Sequence, residues 1–237
     1  MAAADLLALL RAEPEHTALL LDVDGTLAPI VERPEDAAVP PETRAELERL
    51  ASRYALVACV SGRTSADAAA TVGVEGLVYV GTHGLELEPE AERWAAALHE
   101  FAGAVPWPPE DKGLSVSFHY RGALDEEAAR AELEEVAAAA RQAGLRARFG
   151  RKVLELLPPI DANKGTAIRR LLTERELRRA LYAGDDTTDL DAFRALDGLE
   201  LGVRVAVSSL EGPPELRAAA DVVVANPTAL LELLRGL

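Results

Sequence analysis

The apolar residues of the chain fall into two rhythms. In the first, short continuous apolar runs end abruptly in polar residues. Residues 18–23 carry Ala18-Leu19-Leu20-Leu21 into Asp22-Val23-Asp24-Gly25. Residues 55–60 end in Ser61-Gly62-Arg63, 77–80 in Gly81-Thr82-His83-Gly84, and 180–183 in Gly184-Asp185-Asp186. A run without alternation is apolar on both faces, as in parallel strands covered by helices on both sides. Helices are predicted over 5–11, from Pro41 through Leu47 and Leu50, up to Gly73, from Asn163 onward, and from Pro227 to the end. Pro41 suits a first helical turn and Gly73 the position just past a helix. Further strands are predicted at 202–207 and 221–224. Strands alternating with helices give an α/β fold with a doubly wound, Rossmann-like parallel sheet.

The second rhythm occupies residues 87–160. After a helix over 88–101, residues 114–121 alternate strictly. Leu114, Val116, Phe118 and Tyr120 take one face, and Ser115, Ser117, His119 and Arg121 the other. That pattern predicts an antiparallel strand with one available face. Asp125 caps an alanine-rich helix with a stripe of Ala129, Leu133, Val136 and Ala140, and Gly144 ends it. Strands 145–149 and 152–157 pair across Gly150-Arg151. Residues 87–160 thus form a small α+β cap inserted into a core of residues 1–86 and 161–237. On the second strand Glu155 is a charge among apolar neighbours and reads as functional, whereas Arg146 and Arg148 read as a solvated face.

Four polar clusters stand where strands end or helices begin: Asp22/Asp24, Ser61/Gly62/Arg63, Lys164, and Asp185/Asp186/Asp189. A doubly wound sheet collects such positions at one edge. Asp22 and Asp24 share a parity, and close carboxylates share a proton or hold a cation. Carboxylates with backbone carbonyls suit a hard cation such as Mg²⁺. A serine hydroxyl, free amides near a glycine and a lysine at a helix start suit a phosphate. With a carboxylate as nucleophile, the combination reads as phosphoryl transfer through an aspartyl phosphate.

Composition narrows the partners. The chain has 237 residues, is 49% hydrophobic and carries a net charge of −15, which argues against nucleic acid. No apolar run approaches membrane length, and residues 1–11 lack a basic start, so a cytoplasmic protein without membrane association is expected. Cys59, alone of its kind, reads as core packing.

In order, Asp22-Val23-Asp24-Gly25-Thr26, Ser61-Gly62-Arg63, Lys164 and Gly184-Asp185-Asp186-Thr187-Thr188-Asp189 resemble the four motifs of the haloacid dehalogenase superfamily. Within it, Gly81-Thr82-His83-Gly84, Glu110-Asp111-Lys112-Gly113, His119-Tyr120-Arg121 and Gly150-Arg151-Lys152-Val153-Leu154-Glu155-Leu156 resemble the trehalose-6-phosphate phosphatase family. Leu190 and Leu157 depart from the family pattern, where Glu and Arg are common. The resemblance implies that Asp22 is nucleophile and metal ligand, and that Asp24 is general acid and base and lends a backbone carbonyl to Mg²⁺. It implies that Asp185 completes the protein ligands, that Asp186 and Asp189 hold metal waters and Lys164, and that Ser61, Gly62 and Lys164 bind the phosphoryl group. Glu110, Lys112, Arg121 and Glu155, with Arg151 or Lys152, would hold the sugar. The implied activity is Mg²⁺-dependent hydrolysis of trehalose 6-phosphate by a monomer. The rivals are a phosphatase for mannosyl-3-phosphoglycerate or sucrose 6-phosphate, and a non-catalytic sugar-phosphate-binding regulator.

Overall fold

A computed structural model describes residues 2–31, 33–150, 152–208 and 212–237. Arg151, expected near the sugar, lies outside the described residues. The chain divides into two compact units: Met1–Gly84 with Ala162–Leu237, and Leu85–Asp161.

The larger unit is built on a six-stranded parallel sheet. Its strands are β1 (Thr17–Leu21), β2 (Leu56–Val60), β3 (Val78–Val80), β8 (Arg179–Gly184), β9 (Leu201–Val207) and β10 (Val222–Val224). Their order is β10-β9-β8-β1-β2-β3. The helices are α1 (Ala3–Ala12), α2 (Pro41–Ala51), α3 (Ser65–Val72), α6 (Lys164–Glu174), α7 (Asp189–Ala195), α8 (Pro214–Ala219) and α9 (Pro227–Arg235). Every residue of β1, β2 and β8 is buried, which is why those runs lack alternation. On one face Leu19, Leu21, Val57, Cys59, Leu181 and Val203 pack with Leu47 of α2 and Leu230 and Leu234 of α9. Each such leucine contributes roughly 1.5–3 kcal/mol of burial. Gly73 ends α3 in the left-handed conformation at φ 67°.

The smaller unit is an antiparallel sheet of order β4-β5-β7-β6, with β4 (Glu110–Asp111), β5 (Val116–His119), β6 (Arg146–Gly150) and β7 (Val153–Leu157). Val116, Phe118, Leu154 and Leu156 pack against Leu98 of α4 (Ala95–Gly103) and against Ala129, Leu133, Ala137 and Ala140 of α5 (Glu126–Gln142). The stripe on α5 is set by Ala137, with Val136 at its partly buried margin. The expected helix over 88–101 is a 3₁₀ turn (Ala91–Trp94) that runs into α4. The polar face predicted over 114–121 is less open than its alternation implies, because Ser115 and Ser117 are buried and only His119 and Arg121 are exposed.

The Asp125 carboxylate accepts the N–H groups of Glu127 and Ala128, each at 3.0 Å, at the start of α5. Asp125→Ala should therefore cost about 1 kcal/mol, read as a lower urea midpoint at unchanged slope.

Candidate active site

The site forms where strand order reverses. β1 has β2 on one side and β8 on the other, with Leu21 registered against Cys59 and Ala183. The chain therefore emerges from these strands at one edge, as Asp22 after β1, Ser61 after β2 and Asp185 after β8. This is the crevice at the carboxyl ends of the strands where open α/β sheets bind ligands. Gly25 turns the chain at φ 84°, and a Cβ there would collide with the Asp185 carboxylate, so only glycine fits.

Asp22, Asp185 and Asp189 are buried, and each offers one oxygen within 4.8 Å of the others. Lys164 Nζ donates to Asp22 Oδ1 at 2.6 Å and to Asp189 Oδ1 at 2.7 Å. Lys164 is the first residue of α6, the end at which the helix dipole disfavours a cation. The two carboxylates outweigh that cost. The helix start is fixed by Asn163, whose side chain accepts from Thr166 N–H at 2.9 Å. Asp189 is the hub of the cluster. It also accepts the Tyr182 hydroxyl at 2.7 Å and the N–H groups of Asp185 and Asp186, each at 2.8 Å. The loop between β8 and α7 is thus folded around one carboxylate.

The cluster carries surplus negative charge. Burial pushes the Asp22 carboxyl well above its ordinary range; Lys164 pulls it back, while Asp189 and Asp185 push it further. Burial alone would lower Lys164, yet Asp189 and Asp22 hold it above its usual value. Burial and then Asp189 raise Tyr182. Three buried carboxylates around one bonded ammonium leave a charge that a dry interior tolerates poorly. Close-set oxygen donors with that surplus fit a hard divalent cation.

The other two expected metal residues lie outside this trio. The Asp24 carboxylate is gripped by Arg63, Nε to Oδ2 at 2.7 Å and Nη2 to Oδ1 at 2.8 Å. Asp186 is half-buried, with its backbone N–H on Asp189. Ser61 is buried, and its Oγ accepts the Arg63 N–H at 3.1 Å. The Ser61-Gly62-Arg63 loop is clasped by its neighbour. His83 N–H donates to the Ser61 carbonyl at 2.8 Å and Thr82 N–H to the Arg63 carbonyl at 2.7 Å. Thr82 and His83 sit at φ 49° and 54°, a strained pair that those bonds hold in place.

Among the expected sugar residues, Glu110 and Lys112 meet, with Nζ 3.6 Å from Oε2. Glu110 also pairs with His119 Nε2 at 2.6 Å, and this bond chiefly holds its carboxyl below the usual range. Glu155 is buried and bonded by Ser115 and by Arg148, so Arg148 is an ion-pair partner rather than part of a solvated face. Arg121 lies beyond the end of β5 on an exposed turn, beside Glu126.

The family described as trehalose-phosphatase matches residues 20–107 and 108–226. The chain belongs to the trehalose-phosphatase family. It is 39% identical over 211 residues to a trehalose-phosphate phosphatase of Mycolicibacterium paratuberculosis, covering 77% of this chain and 52% of that protein. It spans about half the length of the curated relatives it matches first. The C-terminal domain of Candida albicans trehalose-6-phosphate phosphatase shares the fold, with a TM-score of 0.76 at 22% identity over 98% of this chain and 95% of that one. So does a haloacid dehalogenase-like hydrolase of Bacteroides thetaiotaomicron, with a TM-score of 0.66 at 15% identity over 93% and 98%. Among the described residues, no helix of this family member is long and apolar enough to cross a membrane.

Sequence reading missed Tyr182 and the central place of Asp189. A signal existed: a phenol in a strand buried along its whole length needs a partner for its hydroxyl. Lys164→Met should leave Asp22 and Asp189 without their shared cation and cost about 3–5 kcal/mol, seen as a fall in Tm. If the cluster takes a divalent cation, adding Mg²⁺ should release protons at pH values below the raised value of Asp22, since a bound ion would need the carboxylate deprotonated. Calorimetry in buffers of differing ionisation enthalpy should show the release shrinking as pH rises through that value.

Proposed function

We propose that the chain is a Mg²⁺-dependent phosphatase that converts trehalose 6-phosphate to trehalose and phosphate through an aspartyl phosphate on Asp22. The observation that supports this best is the different keeping of two carboxylates only two residues apart. Asp22 is buried and fixed by Lys164, whereas Asp24 is more exposed and paired with Arg63. That difference suits Asp22 to forming a bond to phosphorus and Asp24 to carrying protons.

An Asp22 oxygen attacks phosphorus, and the bond from phosphorus to the sugar oxygen breaks. Asp24 delivers its proton to that departing oxygen, which requires its pairing with Arg63 to open. Asp24 then takes a proton from water, whose oxygen attacks phosphorus and releases phosphate, restoring Asp22. Lys164, Ser61 and the amides around Gly62 hold the phosphoryl oxygens. Asp22, Asp185 and the Asp24 carbonyl would hold Mg²⁺, with Asp186 and Asp189 behind them. The chemistry a bound Mg²⁺ supplies is neutralisation of charge on the transferring group. Glu110, Lys112, Arg121 and Glu155 give the smaller unit its part in reading the disaccharide. The family match and the mycobacterial relatives favour trehalose 6-phosphate over sucrose 6-phosphate or mannosyl-3-phosphoglycerate.

The test is phosphate release from a panel of phosphorylated sugars with and without Mg²⁺. Trehalose 6-phosphate should be turned over fastest, and chelation should stop the reaction. Asp22→Asn should abolish turnover of every substrate, since an amide is a poor nucleophile. Asp24→Asn should slow the sugar phosphate by about 10²–10⁴-fold but spare the first step for an activated aryl phosphate, whose leaving group needs no proton. Equal slowing of both in that step would remove Asp24 as the general acid.

A further inference from the structure

The small sheet carries one transverse row of four polar residues. The pairing of β4 with β5 sets Glu110 against Ser117, that of β5 with β7 sets Ser117 against Glu155, and that of β6 with β7 sets Arg148 against Glu155. Residues directly opposed across strands point to the same face, so the face presents acid, hydroxyl, acid and guanidinium in sequence. Three of the four are engaged. Glu110 is bonded to His119, and Glu155 is bonded to Ser115 and to Arg148. Ser117 differs. It is 1% exposed, and among the described residues its Oγ has no hydrogen-bond partner.

A buried hydroxyl without a partner is unfavourable, and alanine would fill the position without that penalty. The orphan lies between two carboxylates rather than in the apolar layer beneath. We propose that Ser117 Oγ is a contact for a hydroxyl of the bound sugar and that Arg148 is the positioning residue that holds Glu155 in the row. Acceptors on either side of a hydroxyl, each one strand spacing of about 4.8 Å from it, suit a polyol, whose hydroxyls both donate and accept. With Glu155 matched by Arg148 and Glu110 by Lys112, the row offers a phosphate no surplus of positive charge, so it takes the unphosphorylated part of the substrate. This inference rests on the sugar-phosphate reading above and deepens it.

The experiment titrates the chain carrying Asp22→Asn, which stops turnover, with trehalose 6-phosphate and separately with inorganic phosphate. Adding Ser117→Ala should cut the preference for the disaccharide phosphate over phosphate by about three- to tenfold, with Tm held. In the active chain, Arg148→Ala should raise KM for trehalose 6-phosphate about tenfold or more while lowering kcat less, and Arg148→Lys should restore part of the loss. An unchanged preference in Ser117→Ala overturns the proposal. So does an equal loss of affinity for phosphate and disaccharide, which would mark a structural role. If the unsubstituted chain prefers sucrose 6-phosphate, the trehalose reading falls, and the same comparison with that sugar decides the row. If no phosphorylated disaccharide binds more tightly than phosphate, the row reads no sugar and the inference falls, whatever the chain does with an aryl phosphate.

Discussion

The Lys164 ammonium, 2.6 Å from Asp22 and 2.7 Å from Asp189, holds together groups that would otherwise repel one another. Each of these side chains is buried, and Asp185 is buried beside them. Without the ammonium, three carboxylates would be crowded into a space where charge is poorly solvated. With it, the loop after β8 can wrap on Asp189, α6 can begin with a lysine despite its dipole, and Asp22 can stand at the end of the central strand. The residual negative charge then has a use, because it is what a divalent cation would neutralise.

Much of this was legible because the fold sorts residues by position. Leu19-Leu20-Leu21 reads as a buried strand, with the acids after it at the sheet's edge, and it is one. The parallel order and the antiparallel small sheet followed from continuous and alternating runs. What pattern could not supply was the choice of partner. Arg63 bracing Asp24 rather than lying free depends on neighbouring strands far apart in sequence, Asp189 joining the buried trio on how one loop folds around its carboxylate, and Arg148 turning onto Glu155 on the register of one hairpin. Burial of Ser115 and Ser117 was likewise hidden. Alternation reports which residues share a face, not what covers it.

The smaller unit shows the same principle with different stakes. Its apolar layer, from Phe118 and Leu154 to Leu133, is ordinary packing and fixes the sheet. Once fixed, the sheet imposes its spacing on Glu110, Ser117, Glu155 and Arg148. A carboxylate as buried as Glu155 is costly unless charged or polar groups meet it, and Arg148 and Ser115 do so. The apolar layer thereby determines where the polar groups of the opposite face stand.

On the proposed mechanism, the two aspartates after β1 divide the duties of the site between them. A nucleophile gains from rigidity, since a misplaced attacking atom loses the benefit of proximity. A proton carrier has to serve two oxygens in turn, the departing sugar oxygen and then water. Asp22 is bound by Lys164 and by Thr26 Oγ1, at 3.3 Å, inside a closed cluster. Asp24 is bound by a guanidinium that also reaches the Pro34 carbonyl at 2.9 Å, so Arg63 would keep an anchor were the carboxylate released. On the proposed mechanism, the Gly25 turn permits both arrangements within four residues. It lets one carboxylate stay in the buried trio while the other, on the same short segment, stays outside it and can exchange its partner.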